Sequence, residues 1–240
     1  MSPAAQWPHV TSLRWDDTHR LIPETYADTT EPFLAALVDS PADVEALTKI
    51  AARTSGRTLA QNGQLPSGPG PHDLVFDVPY SKIINGAFSY PGNKGGRFNT
   101  NTWGAWYAGK SLKTSLAEVT FHRSVLLTET AASEDEIEYV DFLADIHGSQ
   151  FADLRDGSRK SLRCLDPASH VHGQALAHEL LASKLAGVVY PSVRHLAGEC
   201  VAVLRPPLVG NVRVGTRYRF TWSASAKMRV RLAPSESSTR

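Results

Sequence analysis

The sequence predicts an α+β fold in a single domain. Three observations carry this. Strand-like and helix-like segments follow one another without regular alternation, which argues against a doubly wound parallel sheet. No internal repeat occurs at a period of roughly 20–50 residues. The 240 residues, 42% apolar and 20% charged, suffice for one sizeable core without metal or disulfide staples.

Taken in order, residues 1–18 are polar and mixed and read as a flexible lead-in to a domain over 19–233. Residues 20–22 read as a short strand stopped by Pro23. Ser40 is an N-cap candidate, Pro41 fits the first helical position, and Asp43 lies where the helix dipole favours an anion. With Val44, Leu47, Ile50 and Ala51 as an apolar stripe, a helix is expected over 41–53. Residues 62–72 are loop by composition, and 74–78 suggest a strand. Neither flank of that loop makes a domain alone. A turn over 90–96 leads into Arg97. Residues 105–108 read as a buried strand, after which Ser111 caps a helix whose stripe is Leu112, Leu116 and Val119. Strands are expected over 136–142, 188–190, 200–204, 218–222 and 228–232. A helix is expected over 174–185 with Gly187 at its C′ position. The tail over 234–240 is polar and reads as disordered.

Composition narrows the function classes. A net charge of +1 calls for neither nucleic acid nor a membrane surface. The two cysteines, Cys164 and Cys200, are isolated, which fits a reducing compartment and argues against a thiol metal knuckle. No run of about 18 apolar residues and no secretory leader occur, so a soluble cytoplasmic protein is the expectation. There is no P-loop, no Gly-x-Gly-x-x-Gly, no His-Glu-x-x-His and no Gly-x-Ser-x-Gly. His170 and His172 form the one close histidine pair and lack a third ligand at a sensible spacing, so no metal is expected.

Four residues can carry chemistry, each beside a plainer reading. Arg97 follows Gly95 and Gly96, whose freedom lets a turn aim its guanidinium at a phosphate or carboxylate; it can equally be a solvated loop arginine. Tyr107 offers a stacking platform for a planar ring, or a core tyrosine with its hydroxyl at the surface. Glu118 lies beside the apolar stripe of its helix, on the face of Ser111, Ser115 and His122, where a carboxylate reaches a cleft edge. Its plainer reading is a solvated glutamate paired with His122 at i+4. Ser192 follows Tyr190-Pro191 at a strand end and can meet a ligand or close a turn.

The combination is more specific than its parts. Gly95-Gly96-Arg97-Phe98-Asn99, Trp106-Tyr107-Ala108 and Ser115-Leu116-Ala117-Glu118-Val119 resemble the RES domain, with ten residues from Arg97 to Tyr107 (107 − 97) and eleven from Tyr107 to Glu118 (118 − 107). Val188-Val189-Tyr190-Pro191-Ser192-Val193-Arg194 resembles the family's serine motif, and His19-Arg20-Leu21-Ile22-Pro23 its opening strand. The separation of Arg20 from Arg97, 77 residues (97 − 20), is long for the family, so 24–88 reads as a family-variable insertion.

The resemblance implies a fold like that of ADP-ribosyltransferase toxins, with a small split sheet flanked by helices and a cleft for NAD⁺. It implies a bacterial toxin that degrades NAD⁺ at the nicotinamide–ribose bond by hydrolysis or phosphorolysis. NAD⁺ is then substrate rather than cofactor, with inorganic phosphate as an optional co-substrate. Glu118, Arg97 and Tyr107 take the catalytic positions, and Arg20, Arg97, Tyr107 and Ser192 contact NAD⁺. The implied partner is an antitoxin with an Xre-like helix-turn-helix region that covers the cleft. Two other readings compete: a mono-ADP-ribosyltransferase acting on a protein, and a non-catalytic module that binds NAD⁺ or a partner.

Overall fold

The structure is a computed structural model that describes residues 8–27, 40, 42–43, 46, 50, 53, 55–223, 225 and 228–234. In chain order its elements are β1 (Val10–Pro23), α1 (Glu24–Ala27), α2 (Gly56–Gln61), α3 (Ser81–Ser89), β2 (Trp106–Gly109), α4 (Leu112–Glu129), β3 (Glu134–Asp153), α5 (Arg159–Cys164), α6 (Val171–Ala182), β4 (Gly187–Pro191), β5 (Glu199–Val203), β6 (Val209–Ser223) and β7 (Arg229–Leu232). Most of the helix expected over 41–53, residues 1–7 of the lead-in and residues 235–240 of the tail lie outside the described residues. At the start of that helix the Asp43 amide donates to Ser40 Oγ at 3.2 Å, as expected of the cap.

The fold is α+β, and the described strands form one sheet in the order β1-β2-β5-β4-β3-β6-β7, with β1 also paired to β3. That extra pairing closes β1-β2-β5-β4-β3 into a ring, in which two halves can be distinguished. One half is the antiparallel set β1-β3-β6-β7, whose first three strands are long; the other is the short set β2-β5-β4. The halves meet at His19↔Gly109 on one side and along 151–153 with 187–189 on the other. Beyond each junction the strands diverge, and side chains rather than ladder hydrogen bonds must fill the gap.

Three apolar clusters hold this arrangement. Trp106, Phe142, Ile146, Phe151 and Val203 pack between the halves with Ile84 and Phe88 of α3. Leu154, Leu176, Leu180 and Val188 lie under α5 and α6. Leu112, Leu116 and Val119 lay the expected stripe of α4 on Leu21, Tyr139 and Phe220. Ser111 caps α4 through the Thr114 amide, as expected.

Several elements differ from expectation. β1 starts at Val10, so residues 10–18 belong to the sheet and not to a flexible lead-in. A register shift between Trp15 and Thr18, with Asp17 at φ 53°, breaks the alternation that would have shown it. β3 runs 20 residues rather than over 136–142, again with register shifts that hide its period. Residues 74–78 are no strand: Asn85 of α3 donates to the Val75 carbonyl at 2.8 Å and accepts from its amide at 3.0 Å, taking the place of a neighbouring strand. α3 itself escapes sequence reading because its N-cap, Tyr80, is left-handed and makes no side-chain cap bond. α3 lies inside the segment expected as an insertion, yet Ile84 and Phe88 are in the main core. Lys184, at φ 58°, takes the left-handed position after α6 that was expected of Gly187. Gly187 instead opens β4, where a Cβ would come within 2.1 Å of the Ala202 carbonyl.

Candidate functional site

A cleft of about 540 Å³ opens where β1 and β2 diverge, roofed by α4. Arg20, Arg97, Tyr107 and Glu118 all line it; Ser192 stands behind Glu118. Five residues spread over 173 positions (192 − 20 + 1) thus converge, and each is positioned by a local reason.

Glu118 occupies the edge of α4 beside the apolar stripe, with its side chain 20% exposed. Its Oε1 accepts a hydrogen bond from Ser192 Oγ at 2.6 Å. The same Oγ accepts from the amides of Arg194 at 3.1 Å and His195 at 2.9 Å. Ser192 therefore both closes a turn and holds the carboxylate. Its one hydroxyl proton goes to Glu118. His122 Nε2 lies 3.9 Å from Glu118 Oε2, the i+4 neighbour expected. Burial and the positive charge of Arg194 and Arg97 hold the His122 imidazole below its usual pKa, against the pull of Glu118.

Tyr107 is fixed through its hydroxyl. It donates to Asn99 Oδ1 at 2.8 Å and accepts from the Phe98 amide at 2.8 Å. Asn99 Oδ1 also accepts from the Gly96 amide at 3.0 Å. A Cβ on Gly96 would stand 2.5 Å from Asn99 Oδ1 and 2.8 Å from the Tyr107 hydroxyl, so this close approach requires glycine. With the hydroxyl engaged and pushed upward in pKa by burial, the ring is what Tyr107 presents to the cleft.

The arginines differ from one another. Arg97 donates from Nη1 to the carbonyls of Asp166 at 2.6 Å and Cys164 at 3.4 Å, which anchors the turn to the segment before α6. Arg20 donates to the Tyr107 carbonyl at 3.1 Å and lies over the Trp106 ring at 4.9 Å. Its Nε is buried without a partner, and burial lowers its pKa to about 10. Among the described residues neither Arg20 nor Arg97 meets a carboxylate, whereas Arg123, also at the cleft, is paired with Asp135 at 2.7 Å.

Sequence reading missed further cleft residues: His19, which meets the buried Asp141 at 2.8 Å, His122 and His170 as lining groups, and Arg194. His19 and Arg194 stood inside the recognised motifs, and a signal for Arg194 was available. A serine two residues upstream that caps the next amides fixes the direction of such a side chain. Ser115 ties the parts together, donating to the His19 carbonyl at 2.6 Å and accepting from the Gly109 amide at 3.0 Å. Cys200 also lines the cleft, and burial pushes its thiol up to about 12, which disfavours the thiolate. No group of three metal-ligating side chains occurs among the described residues, and no described helix is long and apolar enough to cross a membrane.

Glu118 is the one carboxylate among the described residues that line the cleft. Among the described lining residues, with Arg123 neutralised by Asp135, Arg20, Arg97 and Arg194 against Glu118 leave two net positive charges (three minus one). Such a cleft attracts a ligand carrying about two negative charges and a flat ring, and offers one anchored carboxylate to any positive charge that develops in it.

A family model described as the RES domain matches residues 74–223, which covers the Arg97, Tyr107, Glu118 and Ser192 positions and leaves Arg20 before its start. No curated protein matches the sequence. Among solved structures the chain is similar to one described as the crystal structure of the M. tuberculosis MbcT–MbcA toxin–antitoxin complex. The identity is 13%, the TM-score is 0.44, and the match covers 86% of this chain and 85% of that chain.

Proposed function

The chain belongs to the RES domain family, and on that premise we propose that it is a toxin that cleaves NAD⁺ at the nicotinamide–ribose bond. The observation that carries the proposal is the Ser192-anchored Glu118 carboxylate facing a cleft with two uncompensated positive charges. The diphosphate of NAD⁺ carries two negative charges, which match Arg20, Arg97 and Arg194. The Tyr107 ring suits the flat nicotinamide.

In the reaction the bond between ribose C1′ and the pyridinium nitrogen breaks. Its electron pair moves to the nitrogen and neutral nicotinamide leaves. The ribose is then an oxocarbenium-like centre, as in other glycosyl transfers. Glu118 stabilises that charge, and an acceptor, water or inorganic phosphate, bonds to C1′ and gives up a proton. A partner antitoxin with an Xre-like helix-turn-helix region belongs to the same proposal. An apolar side chain lining the cleft, Leu126 on α4, is exposed and suits a protein cover.

The test is direct. Purified chain incubated with NAD⁺ is expected to release nicotinamide with ADP-ribose, or with ADP-ribose 1″-phosphate when phosphate is supplied. Label from adenine-labelled NAD⁺ that ends on protein would move the assignment to ADP-ribosyl transfer, and intact NAD⁺ would remove both.

Ser192→Ala tests the positioning of Glu118. Removing the hydroxyl is expected to lower kcat about 10–100-fold with a much smaller change in KM, because the carboxylate keeps its charge and loses its orientation. Ser192→Thr, which restores the donor, is expected to recover part of the loss. A purely structural serine would instead lower the melting temperature and leave the kcat of the folded fraction unchanged.

A further inference from the structure

Arg194 enters above only through its amide and its charge, yet the surroundings of its side chain are built. Its backbone amide binds Ser192 Oγ, the oxygen that also holds Glu118. Its guanidinium carbon lies 3.3 Å from the centroid of the Phe121 ring. Phe121 is three residues beyond Glu118 on α4, so the two project from neighbouring positions of the helix surface. Stacking occupies a face of the guanidinium and leaves its N–H edge free. That edge is unspent: Nε is buried with no partner, and among the described residues no carboxylate pairs with Arg194. An arginine held in this way by an aromatic ring and a serine turn, with its donors unused, is placed for an oxyanion.

Two imidazoles lie nearby. His122 and His170 line the same cleft, and the imidazoles of both are held below their usual pKa, first by burial and then in part by Arg97 and Arg194.

We propose that Arg194, stacked on Phe121 and set beside Glu118 by Ser192, is an oxyanion-binding residue of the cleft, with Arg97, His122 and His170 around it, and takes a phosphate group. The inference rests on the NAD⁺-cleaving reading for the identity of the nucleotide, but the oxyanion chemistry is argued from the side chains. The phosphate has two possible sources: the diphosphate of the dinucleotide, or free inorganic phosphate acting as acceptor. Arg194 thereby becomes a determinant of which acceptor the ribose meets, since an anion bound beside Glu118 stands next to the reacting carbon.

The experiment is calorimetric titration of the full chain with ADP-ribose and, separately, with inorganic phosphate, comparing wild type with Arg194→Gln. Melting curves check that the fold is kept. A loss of at least about tenfold in affinity is expected for one ligand or both. Loss for ADP-ribose alone assigns the diphosphate; loss for inorganic phosphate assigns the acceptor site. Phe121→Leu, which removes the platform and keeps the arginine, is expected to weaken the same ligand by a smaller factor and keeps the test readable if Arg194→Gln fails to fold. Unchanged affinities in a folded variant, or a wild type that binds neither ligand, would overturn the proposal. NAD⁺ is absent from these titrations, so a chain that left NAD⁺ intact would sink the proposed function without deciding this one. Equally, NAD⁺ cleavage with no Arg194 effect on binding would remove the subsite alone.

Discussion

Glu118→Gln is expected to lower NAD⁺ consumption by at least about 10³-fold while leaving the fold intact. The substitution keeps the side-chain volume and keeps an oxygen able to accept from Ser192 Oγ, so the α4 edge and the loop after β4 retain their contact. What disappears is the one negative charge among the described lining residues of a cleft whose other ionisable side chains there include arginines and histidines. A developing ribosyl cation then meets a neutral amide in a site of surplus positive charge. A 10³-fold loss corresponds to about 4 kcal/mol of transition-state stabilisation, within the range of one well-oriented charged group in a water-poor site. Ground-state binding should move the other way. Removing a carboxylate from beside a diphosphate relieves repulsion, so ADP-ribose is expected to bind the variant at least as tightly as wild type. The measurement is nicotinamide release under single-turnover conditions beside calorimetric binding of ADP-ribose. Full activity in the variant would remove Glu118 from the chemistry.

Much of this site was legible in the sequence, for a physical reason. Glu118, Ser115 and the Leu112-Leu116-Val119 stripe lie on one helix, and a helix maps sequence spacing onto direction with a fixed period. Tyr107 and the Gly95-Gly96-Arg97 turn were legible because glycine pairs mark backbone that other residues cannot follow. The strand pairings were less so. β1 and β3 contain register shifts, and each shift reverses the in–out alternation that identifies a strand, so their full lengths were hidden. The apolar run over 74–78 looked like a strand, but whether it pairs depends on Asn85, which supplies the backbone hydrogen bonds from a helix. Ser192 and Arg194 show the same limit at the site. Sequence places them two residues apart at a strand end. That one hydroxyl bridges Glu118 and the Arg194 amide follows from a contact across 74 residues (192 − 118), and no local period encodes it.

Trp106→Ala is expected to be the most destabilising change at the base of the cleft, at about 3–5 kcal/mol. Trp106 is fully buried on β2, the strand that joins the two half-sheets through Gly109. It packs among Ile84, Phe88, Phe142 and Val203, which come from α3, β3 and β5. Few single side chains touch both halves of a split sheet, and at the junction there is little ladder hydrogen bonding to compensate for a void. Domains of this size have a total stability of only about 5–15 kcal/mol, so the loss is a large fraction of the whole. The melting temperature should fall by roughly 6–20 °C, at about 2–4 °C per kcal/mol. The effect reaches the chemistry as well. Arg20 lies over the Trp106 ring and, among the described residues, is otherwise held by one hydrogen bond to the Tyr107 carbonyl. Without the ring its guanidinium gains freedom, and affinity for a phosphate-bearing ligand should fall even in the folded fraction. Trp106→Phe separates the two roles, since a smaller ring restores part of the packing and a face for the cation. Phe is therefore expected to recover more of the ligand affinity than Leu at equal thermal stability. Equal affinities in Phe and Leu variants of matched stability would show that Trp106 supports the cleft through packing alone.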